Sequence, residues 1–174
     1  MPGRLVFATT ADGASTATPR MEISSAGIVT CRTIPSFLAS MATLTTTGSS
    51  AINVSEDNGF TLSTSDRNAH NEGNHFNEAN GRFTAPVSGL YFFGASIMRS
   101  STSGSGPVEM RFTTNGNALA NYSRQYQGAY TANFQANNTE TITRLKAGDY
   151  VNLRLGANMS IHNDDSYFYG YLIG

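Results

Sequence analysis

In the segment GLYFFGASIM, residues 89–98, the side chains of Leu90, Tyr91, Phe92 and Phe93 are consecutive, and a strand carrying them has no face left for water. Successive residues of a strand point to opposite faces. Tyr91, Phe93, Ala95 and Ile97 therefore make one face, and Leu90, Phe92 and Met98 the other. SYFYGYLI, residues 166–173, repeats the pattern, with Phe168 and Leu172 opposing Tyr167, Tyr169, Tyr171 and Ile173. Other segments alternate in the ordinary way. Val108, Met110 and Phe112 interleave with Glu109, Arg111 and Thr113, and Val151, Leu153 and Leu155 with Tyr150, Asn152 and Arg154, which predicts one wet face for each. A sandwich has a single interior, so the second apolar face of the first two strands needs a cover from outside the chain. At roughly 25 cal/mol per Å2 that cover is worth several kcal/mol. A second copy of the same chain supplies it most directly.

The remaining sequence is built of short extended pieces. SFLASMATL, GFTLST, GRFTAP, TETITRL and DYVNLRL join those above, each bounded by Gly, Asn, Asp, Ser or Pro. No window shows the three-and-four apolar spacing of a helix, and Ser, Thr, Asn and Gly make up 72 of the 174 residues. Eight or more strands at this spacing predict an all-β sandwich or jelly roll. The texture changes near residue 34. Residues 1–33 hold only RLVFA, RMEIS and GIVT between loops, too little to enclose a core, so this segment needs neighbours. Its Cys31 is the single cysteine of the chain and has no partner for an intrachain disulfide.

Charge narrows the partners. A net charge of −1 with scattered arginines and one lysine, Lys146, carries no basic footprint, so no nucleic acid is expected. No apolar run is long enough to span a bilayer, and MPGRLVFATT lacks the charged and apolar regions of an export signal, so neither membrane insertion nor export by that route is expected. Without export, the glycosylation sequons at Asn53, Asn121, Asn137 and Asn158 have no role.

The run FNEANGRFTAPVSGLYFFGAS, then TTNGNAL, LKAGDYVNLRL and SYFYGYLI, resembles the successive signature strands of the C1q/tumour-necrosis-factor-like family. That family is a ten-stranded jelly roll forming compact trimers. Phe83, Gly89, Tyr91, Phe93, Asn115, Gly116, Gly148, Asp149, Val151, Phe168 and Gly170 fall in the family's order. The resemblance covers residues 34–174 and implies a homotrimeric head. Tyr91, Phe93, Phe168 and Leu172 would face the sandwich interior, and Phe92, Tyr169 and Tyr171 the threefold axis. Residues 1–33 depart from the collagen-stalked members. They resemble instead a shaft segment of bacteriophage tail fibres, in which short strands of three chains interleave.

Together these resemblances imply a receptor-binding protein at the distal tip of a phage tail fibre. It would be made in the host cytoplasm, carried on the virion, joined to upstream fibre or tail proteins, and attached to a bacterial surface polysaccharide or outer-surface protein. A C1q-like bacterial or spore-surface adhesion protein and a glycan-degrading fibre tip are the alternatives. The family topology puts both ends of the head at the shaft side, so the connections at 99–107, 136–139 and 156–165 are expected at the far end. They supply the receptor-contact candidates Arg99, Ser101, Ser103, Asn137, Asn158, His162, Asn163, Asp164 and Asp165.

Catalysis is not expected. His70, Glu72 and His75 have the wrong spacing for a helical zinc site. Asp164 and Asp165 are adjacent carboxylates, which diverge in a strand or loop. They remain weak candidates for calcium, with no other metal or cofactor expected.

Overall fold

The computed structural model describes residues 3–31, 33–42, 44–45, 52–55, 61–65, 69–99, 108–118, 124–127, 135–156, 160–162 and 165–174. They fall into two compact units, residues 1–34 and residues 35–174. In chain order the first unit holds β1 (Leu5–Thr9), β2 (Thr18–Ile23) and β3 (Val29–Cys31). The second holds β4 (Ser36–Ala42), β5 (Leu44–Thr45), β6 (Ile52–Asn53), β7 (Thr61–Ser63), β8 (His70–Glu72), β9 (Phe76–Asn77), β10 (Arg82–Thr84) and β11 (Gly89–Met98). It continues with β12 (Val108–Thr114), β13 (Asn117–Ala118), β14 (Arg124–Gln127), β15 (Ala136–Leu145), β16 (Tyr150–Leu155), β17 (Ser160–Ile161) and β18 (Ser166–Leu172).

In the first unit β1, β2 and β3 pair with one another as an antiparallel sheet within one chain. The second unit is a jelly-roll-like sandwich without a helix among the described residues. One sheet runs β15-β11-β18-β4-β7 with β8 on β4, the other β13-β12-β16-β10-β9 with β14 on β12 and β6 on β16. Its described strands number fifteen, β4 to β18, among them two-residue pieces such as β6 on β16 and β9 on β10.

The two-faced strands β11 and β18 sit inside the first of these sheets, where both edges of each are paired with other strands. Tyr91, Phe93, Ala95, Ile97 and Phe168 face inward and are buried. Phe37 is the hub of the ring cluster, stacked on Phe76 at 4.4 Å and edge-on to Phe168 at 4.8 Å. Aromatic rings at such offsets contribute beyond the area they bury. The one hydroxyl in this cluster, that of Tyr91, donates to the Val87 carbonyl at 2.8 Å, which satisfies it.

Two expectations are corrected. The segment 136–139 is not a connection but the first part of β15, which pairs with β11 along its whole length from Ala136 opposite Met98 to Leu145 opposite Gly89. Its small polar residues simply continue the alternation. The outer faces of β12 and β16 are also less wet than alternation predicts. Thr113 and Asn152, partners across the ladder, are buried, and the turn before β10 meets Asn152, whose Nδ2 donates to the carbonyls of Asn80 and Gly81, both at 3.0 Å.

The ends of this unit are distinguishable. Leu172 N donates to Pro35 O, and Leu90 N to Gly174 O, so the start of β4 and the end of β18 lie together at one end, the base. Gly89 and Leu145 lie there too. A polar clasp holds the adjoining turns. Asn115, at φ 51°, donates through Nδ2 to Asp149 Oδ1 at 2.8 Å and accepts from Tyr150 N at 3.0 Å. Asp149 Oδ2 accepts from Lys146 N at 2.7 Å. These bonds, that from Asn115 foremost, hold the Asp149 carboxyl below its ordinary pKa. The short side chain of Asn tolerates this left-handed backbone better than most residues do, a physical reason for its place in the family pattern.

Candidate functional site: an uncovered aromatic face and an apical end

The face of the β15-β11-β18-β4 sheet that points away from the core is ordered in rows by its register. Ile142 pairs with Phe92, Phe92 with Tyr171, and Tyr171 with Ser36. One step toward the far end, Glu140 pairs with Gly94, Gly94 with Tyr169, and Tyr169 with Leu38. The next row on this face is Asn138, Ser96, Tyr167 and Ser40. The face thus grades from apolar near the base to polar toward the far end. Ile142 is 58% exposed, Ile173 49% and Tyr171 43%. Phe92 and Tyr171 stack at 5.3 Å, and Phe92 lies 6.0 Å from Tyr169.

Gly94 makes this surface possible. A side chain there would run into the Tyr169 ring, which lies across the glycine. The Tyr169 hydroxyl reaches Glu140 Oε1 at 3.3 Å, and partial burial followed by that carboxylate raises its pKa above the ordinary 10.0. In the polar rows Ser96, Asn138, Glu140, Tyr167 and Tyr169 line a half-open cavity of about 190 Å3. The sequence reading assigned Phe92, Tyr169 and Tyr171 to the outward side but missed Glu140, Asn138, Ile142 and Leu38. The signal for the first three was the odd-even parity of NNTETI, obscured by treating its first residues as a loop.

The far end, opposite the base, is also defined. Arg99 N donates to Gln135 O, His162 N to Met98 O, and Met98 N to Ser166 Oγ at 3.0 Å, while Arg99 bridges to Ile161. His162 and Asp165 are partly exposed there and joined at 2.9 Å from Nδ1 to Oδ2. Two candidates for receptor contact are corrected. Arg99 is fully buried in the single chain, since the backbones of Gln135 and Ile161 close on it, and Asn137 is 3% exposed because β15 turns it inward opposite Ile97. Neither presents its side chain to an outside surface. Ser101, Ser103, Asn158, Asn163 and Asp164 lie outside the described residues.

Of the calcium candidates, Asp165 is thus engaged by His162. His70 and Glu72 share the exposed side of β8, whereas His75 packs edge-on to Phe83 at 6.4 Å. Among the described residues no three His, Cys, Asp or Glu side chains gather as metal ligands.

Comparison with known proteins bears on the second unit. The family model described as "C1q domain" matches residues 47–173. Complement C1q tumor necrosis factor-related protein 3 of Homo sapiens and of Mus musculus are each 36% identical over 107 residues, 59% of this chain. The match spans 41% of those relatives' own length. A crystal structure of murine APRIL superposes with a TM-score of 0.54 at 9% identity, over 79% of this chain and 99% of that one, a likeness of fold.

Proposed function

The chain belongs to the C1q domain family, and from that premise we propose that it is a non-catalytic, homotrimeric binding head that attaches to a cell-surface receptor through its far end. The observation that carries this reading is the uncovered row Ile142-Phe92-Tyr171 on a sheet whose other face already holds the core. Covering each half-exposed Tyr or Ile of that face gains about 2 kcal/mol, and three copies supply the cover. The number three comes from the C1q/tumour-necrosis-factor-like resemblance. With the axial face occupied and the base joined to residues 1–34, the end bearing His162 and Asp165 is left to meet a partner. Three such ends on one axis turn weak contacts into avidity.

In this reading residues 1–34 belong to a fibre shaft, and the chain is the tip of a phage tail fibre on the virion, facing a polysaccharide or outer-surface protein of a bacterium. The resemblance of FATTADGASTATPRMEISSAGIVT to fibre shaft segments supports it, together with the exposed Leu5, Phe7, Ile28 and Val29 of that unit.

The test is titration of the purified chain onto a panel of bacterial cells with and without surface polysaccharide. Saturable, reversible binding to a subset of strains is expected, with the size distribution of the polysaccharide unchanged. Replacing His162 and Asp165 together with Ala should weaken attachment without lowering the melting temperature. Release of sugar fragments by the wild-type chain would overturn the non-catalytic reading, and binding indifferent to the double substitution would overturn the assignment of the far end.

A further inference from the structure

From Leu5 to Phe7, before the register slips at Ala8, the ladder of the first unit sorts its side chains by face. Leu5 pairs with Ile23 and Ile23 with Val29; two residues along, Phe7 pairs with Met21 and Met21 with Cys31. Directly paired residues share a face, as do residues two apart on a strand. These six side chains therefore form two full apolar rows on one side of the sheet. The row between them, Val6, Glu22 and Thr30, points to the other side, where Glu22 meets Arg4 at 3.7 Å. Leu5, Phe7 and Val29 are each more than half exposed and Cys31 is exposed. Covering such half-exposed apolar side chains is favourable in proportion to the area removed from water.

We propose that this face packs against the same face of two further copies of the chain, so that three sheets enclose one apolar axis with Cys31 in the same inner layer as Phe7 and Met21. The inference rests on the trimeric reading of the head. A second copy is the occupant because the two rows carry no charge, so the face complements itself, and because the polar, ion-paired side is left for water. Continuity supports it as well. Ile34 leads into Pro35, whose carbonyl accepts from Leu172 at the end of β18, the strand that carries Tyr171. Chains joined through their heads thus hold their first units at high effective concentration. Since each ladder is complete within one chain, the copies meet face to face and exchange no strands.

The test follows Cys31 in the full chain by native thiol labelling, by cross-linking with a short bismaleimide, and by light scattering. In the wild type, labelling is expected at least tenfold slower than in denaturant, with cross-linked dimers on a denaturing gel and a trimer in solution. Phe7→Asp, on the apolar side, should raise labelling to the denatured rate and abolish the cross-link while the head keeps the chain trimeric. Thr30→Lys, beside Cys31 but on the polar side and opposite Glu22, should leave both unchanged. A trimer whose wild-type Cys31 labels at the denatured rate overturns this inference alone, as does equal acceleration by the two substitutions. A monomeric wild-type chain overturns both this inference and the trimeric head.

Discussion

Gly170 and Gly94 are diagonal neighbours across the β11/β18 ladder with their missing side chains on opposite faces, so alanine at each should damage a different property. Phe93 pairs with Gly170 and Gly94 with Tyr169. A Cβ on Gly170 would stand 2.7 Å from Phe93 Cε1 and 2.9 Å from the Phe92 carbonyl oxygen. Phe93 has no room to yield, because the rings of Phe37, Phe83, Tyr91, Phe112 and Phe168 surround it at 5.5 to 6.5 Å. Overpacking a core in this way costs about 1–3 kcal/mol, and removing a glycine from the unfolded chain returns about 0.4–1 kcal/mol. Gly170→Ala is expected to lose about 1–2 kcal/mol, a fall of roughly 3–8 °C in melting temperature for a unit of this size. At Gly94 the added carbon meets the tip of the Tyr169 ring, which can swing outward. Gly94→Ala should therefore leave the core intact and, in the proposed trimer, raise the concentration at which the copies dissociate. The assay is thermal unfolding by circular dichroism across a dilution series, with light scattering at each concentration. Phe93→Leu should restore part of the loss in Gly170→Ala, with a coupling of at least about 0.5 kcal/mol. A Gly170→Ala chain that melts like wild type, or additive effects of the two changes, would refute the packing argument. Weakened association from Gly170→Ala with none from Gly94→Ala would refute the assignment of faces.

If the head is the proposed trimer, Tyr171→Asp should abolish assembly, since it would place three like charges on the axis; a trimer of the variant in light scattering at micromolar concentration would contradict this. Asp149 sets an acid limb. Its carboxyl is held below the ordinary 3.8 by Asn115 and the Lys146 amide, so its contribution is present above that pH and lost as pH falls through the lowered value. Asp149→Asn should flatten the loss of stability below about pH 4 in urea unfolding, and an unchanged acid limb would remove Asp149 as its cause.

Much of the architecture follows from neighbours in the chain. Alternation is a property of adjacent peptides, so the division of β11 and β18 into two faces was legible without coordinates, and the family resemblance then implied that Tyr91, Phe93, Phe168 and Leu172 face inward and Phe92, Tyr169 and Tyr171 outward. A leftover apolar face was legible for the same reason, since two apolar faces on one strand exceed what a single interior can bury. Burial of a polar residue is different in kind. Asn152 is covered by a turn 72 residues away, Arg99 by the backbones of Gln135 and Ile161, and Asn137 by the choice of β11 as the partner of β15. Alternation had placed Asn152 on a wet face, and the family topology had placed Arg99 and Asn137 in connections at the far end. The sequence by itself thus determined which side chains share a face and that one face would be left over, because period and turn chemistry are local. Which strands lie together, and hence which polar groups are sealed in and which stay exposed at the far end, only the tertiary structure decided, because those contacts join segments that adjacent peptides do not couple.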